Sequence, residues 1–183
     1  MTARLFVALE LPVAVRTQLA QFGHAAAERD PALRAVGEEA MHLTLAFVGH
    51  RPEEEIDAAR AAVRAVHGVA PALALAEPLW LAPRRPHVLT VGLEDGDGTL
   101  AALRAEVVDR LSVALAWEPE ARRFRPHVTV ARVRRGAHPR TRHLPDAPHA
   151  SFAGEAVVLY RSHLGGGPAR YEPLEELALA REG

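Results

Sequence analysis

The feature that most restricts how this chain can fold is a phrase written twice. "MHLTLAFVGH" occupies residues 41–50 and "RPHVTVARVR" residues 125–134. Each holds a histidine, an apolar spacer and a threonine: His42-Leu43-Thr44 and His127-Val128-Thr129. Apolar and polar residues alternate through both, the two-residue period of a half-buried strand. Successive side chains of a strand point to opposite faces. His42 and Thr44 therefore share one face and Leu43 and Leu45 the other. His127 and Thr129 share a face opposite Val128 and Val130. The apolar pairs predict a buried sheet–helix core, and the polar pairs predict a cleft. A single histidine in a strand is more often structural than catalytic; two copies in matched contexts point to a duplicated unit.

The rest of the chain fits two such units. "RLFVALEL" (4–11) reads as a strand, followed after Pro12 by a helical pattern through Val15, Leu19 and Phe22. "RPEEEIDAARAAVRAV" reads as a helix with acids at its N-terminus, ended by Gly68. "ALALAEPLWLAP" and "PHVLTVGLE" read as strands, with Pro78 marking a bulge or an edge. "EDGDG" is a turn. The next helix carries Leu100, Leu103, Val107, Leu111 and Leu115 on one face, with Thr99 as its cap. Residues 135–150 read as a loop. "GEAVVLYRSHL" and "YEPLEELAL" read as strands around a Gly165-Gly166-Gly167 turn, the second alternatively as a short helix. The expected architecture is one α+β domain over 1–183. It has two pseudo-two-fold lobes, two antiparallel-type sheets lining a central cleft, and helices outside.

Composition narrows the chemistry. With 183 residues the chain is long enough to bury a core without staples. It has no cysteine, which excludes disulfides, thiolate metal sites and a cysteine nucleophile. No apolar run is long enough to span a membrane, so a cytoplasmic location and no membrane partner are expected. All 22 basic residues are arginine, and the formal net charge is −1. Yet residues 121–145 carry Arg122, Arg123, Arg125, Arg132, Arg134, Arg135, Arg140 and Arg142 without one acid. That concentration around the second motif reads either as a solvated loop or as a phosphate or nucleic-acid footprint.

Two imidazoles facing each other across a cleft suit in-line displacement at phosphorus. One must take a proton from the nucleophile while the other gives one to the leaving oxygen. Histidine does either near neutral pH. Thr44 and Thr129 can donate to the non-bridging oxygens, and arginines can stabilise the anion. A metal site would need three or four ligands, and the motifs offer two histidines with no carboxylate near by spacing. No metal or other cofactor is therefore expected. There is no Gly-X-Ser-X-Gly elbow and no phosphate-cradling Gly-X-X-X-X-Gly-Lys loop.

The paired motifs resemble those of the two-histidine phosphoesterase superfamily, and within it the RNA 2′,3′-cyclic phosphodiesterases, also called LigT-like or 2′-5′ RNA ligases. The resemblance covers almost the whole chain, including "RLFVALELP", "HLTLAFVG", "FRPHVTVARV" and "LYRSHLGGGPARYEPL". The extended patterns are present as His42, Thr44, Phe47 and as His127, Thr129, Arg132. Val130 stands where the second motif more often has leucine, an apolar swap. The resemblance implies hydrolysis of an RNA terminal 2′,3′-cyclic phosphate to a 2′-phosphate, with His42 as general acid at O3′ and His127 as general base on water. It implies that Phe47 stacks on the terminal base and Arg132 grips the phosphate. Arg125 is a further candidate RNA contact. The partner expected is RNA with that ending, acted on by a monomer. Two rivals remain: a cyclic phosphodiesterase for a small nucleotide, and a non-catalytic RNA-binding module. Strand parity poses a difficulty. Five positions after each histidine, Phe47 and Arg132 should face away from the cleft unless a bulge or strand end re-aims them.

Overall fold

The alternation in the two motif strands is reproduced as burial. Leu43, Leu45, Val128 and Val130 are all buried, whereas His42, Thr44, His127 and Thr129 are partly exposed. A computed structural model describes residues 1–140, 144–163 and 169–180. The glycine run 165–167 and Arg142 lie outside the described residues. In chain order the elements are β1 (Thr2–Leu9), α1 (Val13–Arg29), β2 (Leu33–Ala35), β3 (Leu43–Pro52), α2 (Ile56–Arg64), β4 (Ala72–Leu81), β5 (Val88–Asp95), α3 (Thr99–Leu115), β6 (His127–Val133), β7 (Ser151–Ala153), β8 (Ala156–His163) and β9 (Arg170–Ala178). No helix among the described residues is long and apolar enough to cross a membrane.

The strands run in the order β7-β4-β5-β6-β3-β1-β8-β9, with β2 paired to β6, and every pairing is antiparallel. The order is symmetric about its centre. β3, β1, β8 and β9 form one half; β6, β5, β4 and β7 form the other. β1-α1-β3 in the first half matches β5-α3-β6 in the second. The two sheets expected from the sequence are joined by one residue pair, Leu43 with Val128, so the motif strands are where the halves meet.

The helices cross over. α1 packs against β2 and β6, and α3 packs against β3 and β5. Each of these helices thus braces the histidine strand of the opposite half. The buried faces are Val15, Leu19, Phe22, Gly23 and Ala26 on α1, and Leu100, Leu103, Val107, Leu111 and Leu115 on α3. Both show the three-to-four residue recurrence of an amphipathic helix. α2 lies against α3, β8 and β9.

Several local expectations are revised. Thr99 is the first residue of α3 and not its cap; Asp97 accepts from the Thr99 N–H, and Asp95 from those of Leu100 and Ala101. These carboxylates fill the orphan donors of the first turn. α2 is shorter than expected. β3 stays paired to β1 through Pro52, Glu53–Glu55 form a 3-10 turn, and the helix ends at Arg64. Gly68 plays a packing role, since a Cβ there would lie 2.3 Å from the Leu103 side chain. Pro78 does sit at a bulge, between Leu75 and Pro78 in the β4–β5 register. The last segment is a strand, β9, and not a helix. β2 and β7, three residues each, are too short to show a period.

Candidate active site

The parity difficulty is resolved by a bulge, and the same bulge occurs twice. On β3, Thr44 pairs with Ala8 and Ala46 with Val7, so Leu45 is the extra residue. On β6, Thr129 pairs with Thr90 and Ala131 with Leu89, so Val130 is the extra residue. Each lies three positions after its histidine. Each leaves two consecutive buried residues, Leu45-Ala46 and Val130-Ala131. Beyond the bulge the faces swap, and both Phe47 and Arg132 are exposed.

A bulge interrupts the ladder, so its carbonyl needs another donor. The Leu45 carbonyl accepts from Arg104 Nε on α3 at 3.1 Å. The Val130 carbonyl accepts from the Val36 N–H at 2.9 Å. α1 comes close to that carbonyl because residue 23 is glycine; a Cβ there would lie 2.5 Å from the Val130 oxygen. The Arg104 guanidinium also lies over the Phe124 ring, 4.5 Å from its centroid. One side chain of α3 therefore touches the strand of the first histidine and the approach to the second.

The histidines are held alike. His127 Nδ1 lies 2.7 Å from the Arg125 carbonyl. A carbonyl only accepts, so that contact puts the ring proton on Nδ1 and leaves Nε2 free. His42 makes the corresponding backbone hydrogen bond to Ala40, two residues back. β3 and β6 meet antiparallel at the Leu43–Val128 pair, so the two histidine motifs lie side by side where the halves join, their histidines and threonines away from the core.

Their surroundings differ. His42 stacks on Phe6 with centroids 4.9 Å apart and meets the Tyr171 ring edge-on at 5.2 Å. Tyr160 also stacks on this group, 5.3 Å from Phe6 and 6.1 Å from His42. Its hydroxyl donates to Glu10 at 2.8 Å, and Arg16 pairs with the other Glu10 oxygen at 3.1 Å. Burial pushes the Glu10 carboxyl up, against the opposing pull of Tyr160 and Arg16. Burial lowers the His42 pKa to about 4, and the positive charges of Arg132 and His127 add to the shift. That electrostatic effect reaches across the centre, tying Arg132 and His127 to the surroundings of His42.

Phe47 pairs with Phe6 in the sheet and lies 5.9 Å from it, and Arg4 lies 5.9 Å from the Phe47 centroid. Arg132 holds the matching place in the second half, across from Val88. Arg125 is exposed, and its carbonyl holds His127. Sequence reasoning missed Phe6, Tyr160, Tyr171, Arg104 and Thr90. Thr90 is buried opposite Thr129 and donates to the Leu79 carbonyl at 2.9 Å. Among the described residues, no three His, Cys, Asp or Glu side chains are grouped to hold a metal ion.

A symmetric pair of antiparallel half-sheets, closed around two histidine strands, is the architecture of the LigT-like phosphoesterases. The crystal structure of E. coli LigT complexed with 3′-AMP matches 99% of this chain and 100% of its own, with a TM-score of 0.77 and 25% identity. An Aeropyrum pernix protein named RNA 2′,3′-cyclic phosphodiesterase is 32% identical over 120 residues, 64% of this chain and 66% of its own length. A Geobacillus stearothermophilus protein of the same name is 31% identical over 180 residues, 95% of this chain and 56% of its own length. The chain thus matches somewhat under two thirds of each curated relative. The model of the 2′-5′ RNA ligase superfamily matches residues 11–166, and the chain belongs to that superfamily.

Proposed function

We propose that this protein hydrolyses the 2′,3′-cyclic phosphate at an RNA end to a 2′-phosphomonoester, by acid–base catalysis without a metal. The observation that carries the reading is the symmetric placement of two tethered imidazoles about the Leu43–Val128 pair. The names of the two curated relatives support the substrate.

In this mechanism His127 Nε2 takes a proton from water as its oxygen attacks phosphorus, in line with the P–O3′ bond. That bond breaks, and His42 gives O3′ its proton. Thr44, Thr129 and Arg132 hold the non-bridging oxygens, Arg132 with two prongs. Phe47 offers an exposed face to the terminal base. His42 is neutral in the free protein at pH 7, so the acid must be charged as substrate arrives. The phosphate anion favours this by offsetting Arg132 and His127. With a 5′-hydroxyl in place of water as the nucleophile, the same groups would join it to the cyclic-phosphate end in a 2′-5′ linkage, O3′ again leaving with the proton from His42.

The low pKa of His42 favours a second reading, with His42 as base and His127 as acid. Both start from one test. The protein is incubated with chelator and an RNA ending in 2′,3′-cyclic phosphate, and the phosphate is located in the product. A 2′-phosphate is expected. A 3′-phosphate, no turnover, or turnover only with added divalent ion would overturn the proposal.

A further inference from the structure

The arginines of the two halves are used differently. On the first half and the helices, six arginines are ion-paired, Arg16 with Glu10, Arg51 with Glu55, Arg60 and Arg64 with Glu175, Arg110 with Glu106 and Arg161 with Glu53, whereas among the described residues Arg4, Arg29, Arg104 and Arg170 have no carboxylate partner. On the second half, Arg34, Arg84, Arg85, Arg132 and Arg135 are all exposed, and none is ion-paired to a carboxylate among the described residues. Unpaired guanidinium groups form a field that attracts phosphates.

Pairing gathers these residues at one end of the cleft. Arg34 on β2 is directly across from Arg132 on β6, and Val88 flanks Arg132 on the other side. The Val133 N–H donates to the His87 carbonyl at 3.0 Å. His87 Nδ1 in turn lies 2.9 Å from the Arg85 carbonyl. The turn carrying Arg84 and Arg85 is thereby fastened beside the end of β6. The row starts at the candidate site, because Arg132 already acts on His42. It leads outward to Arg34 on one side and to Arg84 and Arg85 on the other.

We propose that Arg34, Arg84 and Arg85 hold the phosphodiester backbone of single-stranded RNA preceding the cyclic end. The proposal rests on the function proposed above and names its substrate as a polymer rather than a mononucleotide. A single strand fits because the terminal base must be unpaired to stack on Phe47. Arg132 stays with the reacting phosphate.

The test compares kcat/KM for a nucleoside 2′,3′-cyclic monophosphate with that for a short oligoribonucleotide carrying the same ending. The wild type should favour the oligomer by about tenfold or more, and the preference should fall as salt rises. R34E/R85E should erase most of that preference and flatten the salt dependence, leaving mononucleotide turnover within about twofold. Retained mononucleotide turnover shows that the variant is folded, and R34Q/R85Q gives a milder second reading. Equal losses on both substrates, or no loss on the oligomer, would overturn the track. If the wild type turns over neither substrate, the proposed function fails, and the track is then judged by fluorescence anisotropy with the same oligomer. Weaker binding by the variants supports it, and unchanged binding overturns it.

Discussion

β3 and β6 are built on one backbone plan and furnished differently. Both hold the histidine ring to the backbone two residues back, and both insert a bulge three residues on. In both, the fifth residue after the histidine is aimed outward by that bulge. The neighbours then diverge. Around β3 stand Phe6, Tyr160 and Tyr171, and the outward residue is Phe47. Around β6 stand Thr90 and Val88, and the outward residue is Arg132. The shared backbone device fixes where two imidazoles sit. The unshared side chains make one half a mainly aromatic surface and the other a cationic one; in the function proposed above, the first meets the base and the second the phosphate. Two identical halves would offer two equal surfaces; in the proposed function the divergent flanks serve one site from two sides.

The largest expected effects come from removing either ring. H42A and H127A should each lower turnover at least by the 10²–10⁴ typical of acid–base groups. A substrate with a much better leaving group needs no acid. With such a substrate H42A should recover and H127A should not. The reverse pattern would invert the roles, in line with the burial of His42. Full activity in both variants would show the repeated phrase to be structural.

The enclosure of His42 should also register in stability. Its pKa falls from 6.5 unfolded to about 4 folded. The unfolded chain therefore binds that proton first as pH drops. The contribution is intact above about pH 6.5 and is lost as pH falls through 4, by roughly 3 kcal/mol in total. Denaturation of wild type and H42N at pH 7 and pH 4 measures it. The gap between them should move in favour of H42N on acidification. Parallel pH profiles would mean that His42 is more solvated than its aromatic surroundings indicate.

The two bulges have different braces, so they can be loosened separately. G23A places a Cβ against the Val130 carbonyl and should cost about 1–3 kcal/mol, the usual range for overpacking. R104M strips the Leu45 carbonyl of its donor and Phe124 of its cation, with a similar cost of about 1–3 kcal/mol. Histidine NMR should show G23A disturbing chiefly His127, and R104M disturbing His42 most with a smaller effect on His127 through Phe124. Equal disturbance of both rings by each variant would mean that the halves move as one body.

What the sequence made legible was what lives in a two-residue period. The alternation of Leu43, Leu45, Val128 and Val130 fixed the inward face, and the repeated histidine pointed to a second half. Long-range pairing was not legible. Nothing local to "RLFVALEL" tells that Phe6 will lie across from Phe47 and stack on His42. The bulge was only inferable as a necessity, because its cause is the register against β1 and β5. The Arg104 contacts depend on α3 crossing to the other half, which no helical pattern announces. Thr99 had the residue type of a cap, but Asp95 and Asp97, just upstream, filled the donors first.

The smallest expected effect tests the aromatic half of the comparison. Phe47 is 48% exposed, so its ring does not belong to the core. Its ring leans on Phe6, and the Arg4 guanidinium lies over it. Stacking on a nucleobase is worth about 1–3 kcal/mol, and a half-exposed ring already supported by a neighbour should sit near the lower end. F47A should therefore raise KM for an RNA end severalfold with little change in kcat, because the lost contact is made equally in ground and transition states. Stability should hardly change. F47W should keep or improve KM, since a larger aromatic face stacks at least as well. If F47A instead unfolds the protein readily while the folded fraction keeps its KM, Phe47 is holding Phe6 in place, and the aromatic side of the cleft serves His42 rather than the base.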